Sequence, residues 1–138
     1  MNISTIKNHV SSLFVSNGLK VRKAVKTNTQ TSSDYILMIS NVTEQYEQLE
    51  YSNRHSVMLT MDVLVTSQNE LKAQQTMTKV HEVLFSTELI TCLLEQGINV
   101  SSLKLISVID DNDPDTAINT IMTTCQINYI ARPTNNGE

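Results

Sequence analysis

A chain of 138 residues with 10 basic and 14 acidic residues, a net charge of −4, no Trp and two Cys is sized for a single domain, which at this length hides roughly two-thirds of its unfolded surface. No apolar run reaches the roughly 20 residues that span a bilayer. The N-terminus lacks the basic-then-apolar layout of a secretion signal, and Cys92 and Cys125 are too few for a disulfide framework. The expectation is one domain over residues 1–132, made in the cytoplasm, with a frayed tail over 133–138 that has nothing to bury.

Ile3, Ile6, Val10, Leu13 and Phe14 fall on one stripe of a helix, and Gly18 supplies its stop. Leu19 and Val21 alternate with Lys20 and Arg22, so residues 19–26 read as a short first strand with one wet face. Residues 27–33 are wholly polar and match a surface loop. Tyr35 to Ile39 is an unbroken apolar run of strand length. Glu44 to Tyr51 fits either a solvated strand or a polar helical turn.

Ser56 to Thr66 carries the clearest strand pattern in the chain, with Val57, Leu59, Met61, Val63 and Val65 on one face and Thr60, Asp62 and Thr66 on the other. Ser67-Gln68-Asn69-Glu70 has the spacing of a capping box. The helix it predicts has an apolar stripe of Ala73, Met77, Val80 and Leu84, with Lys72, Gln75 and Lys79 outward. Ser86 or Thr87 caps a second helical stretch through Leu89, Leu93 and Leu94, closed by Gly97; two helices and one kinked helix both fit.

Leu103 to Ile109 reads as a strand, Asp110 to Asp115 as an acidic turn, and Thr120 to Ile130 as an alternating last strand that closes a hairpin. The order is then helix, three or four strands, helical segment and two strands. Clustered strands of this kind predict an α+β fold: a mainly antiparallel sheet packed against an N-terminal helix and a central helical segment, closed by a β-hairpin.

Chemistry is sparse. His9, His55 and His81 fall in three elements without metal-ligand spacing, and Gly18, Gly97 and Gly137 build no phosphate loop. Both cysteines have apolar neighbours, where desolvation disfavours the thiolate, so they read as reduced and packed. Asp111, Asp113 and Asp115 share the alternate spacing of a calcium loop, but Thr116 stands where such a loop needs glycine and Met122 where it needs a bidentate glutamate. No catalytic residue, metal or cofactor is expected.

Charge is unevenly spread. Residues 1–26 hold Lys7, Lys20, Arg22, Lys23 and Lys26 with no acid, leaving five basic against fourteen acidic residues in the remainder. Lys20, Arg22, Lys23 and Lys26 form a candidate basic contact face; the ordinary alternative is the wet side of an edge strand, where lysines discourage pairing. Glu44, Glu47 and Glu50, with Asp110, Asp111, Asp113 and Asp115, form the acidic counterpart, which is either a solvated surface or a docking face.

The helix IKNHVSSLFVSNG, the strand RHSVMLTMDVLVTS running into the helix NELKAQQTMTKVHEVLF, and the closing strand TIMTTCQINYIARP together make the chain resemble the tail terminator, or tail completion, proteins of long-tailed bacteriophages over nearly its whole length. The resemblance implies a non-enzymatic virion protein of the phage tail that forms a ring, commonly of six copies. Its partners would be sister copies, the tail-tube protein and a head-completion or neck protein, with DNA sliding past a bore lined by acidic side chains and no membrane involved. Glu44, Glu47, Glu50 and the Asp110–Asp115 segment are then candidates for bore or docking surfaces. Other neck, tail-tube or baseplate subunits share this pattern. A double-stranded RNA-binding module is the rival from another class, since helix, three strands and helix is its order; it wants a lysine cluster where this chain has Gln68-Asn69-Glu70-Leu71 and a single Lys72.

Overall fold

The protein is described by a computed structural model that covers residues 3–22, 35–48, 55–113, 115 and 117–131. Its elements are α1 (Ile3–Ser16), β1 (Ile36–Gln48), β2 (His55–Ser67), α2 (Glu70–Leu84), α3 (Thr87–Glu95), β3 (Asn99–Asp113) and β4 (Ile118–Ala131). The four strands form one sheet in the order β1-β2-β4-β3, antiparallel at every contact. The expected α+β class, antiparallel sheet and closing hairpin are therefore present.

Helices cover one face of that sheet. Every buried apolar strand residue, from Leu37 and Ile39 on β1 through Val57–Val65 on β2 to Ile121, Cys125, Ile127 and Tyr129 on β4, belongs to the same side of the pleat. Against it pack Ile6, Val10, Leu13 and Phe14 of α1, Ala73, Met77, Val80 and Leu84 of α2, and Leu89 and Leu93 of α3, in one cluster. The helical and alternating spacings chose these side chains, because each periodicity turns all its apolar positions toward one surface.

Two helix ends close the same way. The amide of Gly18 donates to the Val15 carbonyl and that of Leu19 to Phe14, and Gly97 and Ile98 repeat this with Leu94 and Leu93. Such a cap needs a left-handed residue, and the glycines supply φ of +86° and +81°.

Some local expectations are corrected and two open alternatives are decided. Among the described residues, the region between α1 and α2 holds two long strands, β1 and β2; of the expected first strand at 19–26, residues 19–22 contribute a parallel bridge from Val21 to Leu37, and 23–26 lie outside the described residues. Of the two readings open for the Glu44 segment, the strand holds as far as Gln48, since β1 pairs with β2 from Asn41↔Asp62 to Gln48↔His55 beyond a bulge at Ser40.

The cap of α2 is Asn69, whose side chain accepts from the Lys72 amide. Ser67 accepts from the Asn69 amide instead, as a turn preceding the helix. The helical stretch divides in two at Ser86, whose backbone is extended. The acidic turn is shorter than expected: Asp110, Asp111 and Asp113 belong to β3, paired with Ile121, Thr120 and Ile118, because the ladder to β4 continues past the last apolar residue. The expected tail at 133–138 lies outside the described residues.

Candidate functional site

Because the sheet order is β1-β2-β4-β3, β1 and β3 are its two edges, and they differ in character. On β3, Leu105, Ile106, Val108 and Ile109 are 45%, 51%, 46% and 50% exposed. An apolar edge of this length is an invitation to pairing unless something blunts it. Two bulges do so in part, shifting the register between Val100 and Ser102 and again between Leu105 and Ser107. Ile106 is the unpaired residue of the second bulge, and such an insertion bends the strand. Just beyond the apolar run stand the exposed carboxylates of Asp110 and Asp111.

At the other edge, α1 and β1 flank an open groove of about 750 Å³, lined among others by Lys7 and Val15 of α1, by Val21 and Arg22, and by Ile39 of β1. The bridge that covers β1 here is held by the Arg22 amide donating to the Leu37 carbonyl at 2.8 Å. Nearby, the Lys20 amide donates to the Tyr35 hydroxyl at 3.0 Å, and the Lys72 ammonium lies 5.7 Å from the centre of the Tyr35 ring. Residues 19–22 are thereby fixed along the β1 edge, with Lys20 exposed and Arg22 half-buried.

The face away from the helices is open and mixed. Register carries an apolar row across all four strands, Met38–Leu64–Met122–Ile109. The next row but one toward the other end is polar, with the Thr124 hydroxyl donating to Asp62 at 2.7 Å. Asp62, considered from sequence as an outward strand residue, is thus tied into the sheet.

The sequence-derived acidic residues do not form one cluster. Glu44 turns to the helix side, where its carboxylate accepts from the hydroxyl of the fully buried Tyr129 and, at 3.0 Å, from that of Tyr46. Burial and the neighbouring Glu44 carboxylate push the Tyr46 hydroxyl above its ordinary value. Glu47 is exposed further along β1, and Asp110, Asp111 and Asp115 are exposed at the far edge. Glu50, Lys23 and Lys26 lie outside the described residues, as does the side chain of Asp113.

Nothing described here has the layout of a catalytic centre. Among the described residues no three His, Cys, Asp or Glu side chains converge to hold a metal. His81 Nε2 and the Thr123 hydroxyl share a hydrogen bond at 2.8 Å, and the Thr123 oxygen also lies 3.0 Å from the Met77 sulfur; burial lowers the imidazole below its ordinary value. Cys125 is buried and its thiol is pushed up to about 12, by burial first and by the Asp62 charge second. Cys92 is only half-buried, a departure from the packed position expected of it, because it sits beside the buried stripe of α3 formed by Leu89 and Leu93. No helix among the described residues is long and apolar enough to cross a membrane.

Sequence reading missed the exposed β3 edge. A signal for it was present: Leu105-Ile106 and Val108-Ile109 break alternation twice, and adjacent apolar pairs put side chains on both faces of a strand that has only one face to bury.

No protein-family model and no curated protein matches the sequence. Among solved structures, the chain is similar in fold to a chain of the virion of a native gene transfer agent particle, with a TM-score of 0.63 and 9% identity, over 91% of this chain and 92% of that one.

Proposed function

We propose that this chain is a structural protein of a phage-like virion, and within it a ring-forming tail terminator subunit that caps the tail tube and meets the head-neck proteins. The observation that carries the reading is the fold shared with a virion chain of a gene transfer agent over nine-tenths of both molecules. An exposed apolar edge supports it, since such a surface on a small subunit marks a place where another chain belongs.

In this reading Glu47 and the Asp110–Asp115 segment face either the bore, where negative charge repels DNA and lets it slide, or a docking partner. Glu44 is committed inward by Tyr129 and Tyr46. Lys20 and Arg22 belong to a basic contact face, and Lys23 and Lys26 extend it along the chain. Among the described residues α1 is followed by two strands and two helices, an order that speaks against the helix, three strands and helix of the RNA-binding alternative.

Negative-stain imaging of the purified protein, alone and mixed with tail tubes, tests the proposal. Rings that sit on tube ends are expected. Tubes left uncapped, with the protein a monomer by light scattering at every concentration, would remove the terminator role.

A further inference from the structure

The two sheet edges are complementary in three respects. The first is position: Val108 pairs with Thr123, Thr123 with Val63, and Val63 with Ile39, so Val108 and Ile39 end the same cross-sheet row on the helix side. Ile39 is also part of the groove beside α1. A second copy displaced along this row brings its Val108 to that groove without sliding along the strands.

The second respect is polarity. The β3 edge offers half-exposed Leu105 and Val108 on the helix side, and the groove offers Val21, Ile39 and the 60% exposed Val15. The third is charge. Asp110 follows Val108 on the same side of β3, and the groove carries Lys7 and Arg22.

We propose that the β3 edge of one copy seats in the groove between α1 and β1 of the next, with Leu105 and Val108 on Val15, Val21 and Ile39, and Asp110 facing Lys7. The inference rests on the ring reading above and names the surfaces that would build the ring. The contact is made by side chains and not by a continued sheet, because the β1 edge at Leu37 is already bridged by Val21 and the β3 edge is bent by its bulges. It is heterologous: each copy uses one surface to give and a different one to receive. A contact of that kind propagates, and it closes into a ring when the rotation between copies divides a full turn. The twist of each sheet supplies a rotation at every step.

Charge exchange tests the pairing. Wild-type protein is expected to exceed monomer mass in light scattering over a concentration series. Asp110→Lys and Lys7→Glu should each lower the assembled fraction at least tenfold while leaving the far-ultraviolet circular dichroism and thermal midpoint in place. Mixing the two variants, or combining both changes in one chain, should restore assembly, because every contact then again joins opposite charges. In a Cys92→Ser background, Val108→Cys mixed with Val15→Cys should give disulfide-linked pairs on mild oxidation, and the chain carrying both should give a ladder.

An assembled wild type whose two charge variants still assemble would place the contact elsewhere and leave the ring reading standing. Linked dimers from Val108→Cys alone would mean that β3 meets β3, which overturns the head-to-tail contact. A wild type that stays monomeric at all concentrations and on tail tubes removes both.

Discussion

The carboxylate of Glu44 on β1 accepts a hydrogen bond from the hydroxyl of Tyr129 on β4, reaching diagonally across β2. Tyr129 has no exposed surface, and its hydroxyl also meets that of Tyr46, so the three groups form one network, and losing its charged acceptor is costly. The same carboxylate takes a second hydrogen bond from Tyr46. Glu44→Ala is therefore expected to destabilise the fold by about 1–3 kcal/mol, whereas Tyr129→Phe, which removes only one of the two hydroxyls that Glu44 accepts from, should cost less. A urea-denaturation double-mutant cycle checks this. A coupling energy indistinguishable from zero would mean that the contact contributes nothing to stability.

Asn69 caps α2 through its side-chain oxygen and the Lys72 amide, 3.1 Å apart. Three residues upstream of that amide is the position from which a side chain reaches an orphan donor of the first turn. Asn69→Ala should cost about 1 kcal/mol, and Asn69→Asp should hold or raise stability, since a negative charge suits a helix N-terminus. Thermal midpoints that fall equally in both variants would contradict this assignment.

The parts of the fold that were legible in the sequence are those in which one face does all the burying. β2 shows it: Val57 to Val65 alternate with Met58, Thr60, Asp62, Leu64 and Thr66, and the alternate set is buried to within 1% exposure. α1 and α2 show it at helical spacing. The second half of β1 does not, because its inward positions after Ile39 are Val42, Glu44 and Tyr46, and a strand held by pairing with β2 and by the Tyr129 hydroxyl needs no aliphatic run.

The candidate site was less legible. Asp110 and Lys20 could be picked out as charges, but their places at opposite edges depend on a sheet order that inserts β4 between β2 and β3. Local patterns carry no information about that order. The groove beside Ile39 likewise arises only when residues 21–22 return along β1.

Thiol reactivity should separate the two cysteines. With its thiol raised to about 12, Cys125 carries the thiolate in roughly one molecule in ten thousand at pH 8, and only the thiolate attacks a disulfide reagent. Cys92 is partly exposed. One thiol per chain is expected to react with Ellman's reagent in native buffer and two in denaturant, and Cys92→Ser should abolish the native signal. A Cys92→Ser protein that still reacts rapidly when folded would show that Cys125 is not shielded.

His81 should make the fold sensitive to mild acid. Its imidazole is held below the ordinary value of 6.5 by burial, so the folded state binds its proton less readily than the unfolded chain does. Stability from this group is fully present above pH 6.5. As pH falls through 6.5 toward the lower folded value, the unfolded chain takes up the proton first and that stability is lost. The difference in urea midpoint between wild type and His81→Gln isolates this term from the other titrating groups. It is expected to shrink between pH 7.5 and pH 5, and a difference that grows as the solution is acidified would mean that the fold favours the charged imidazole.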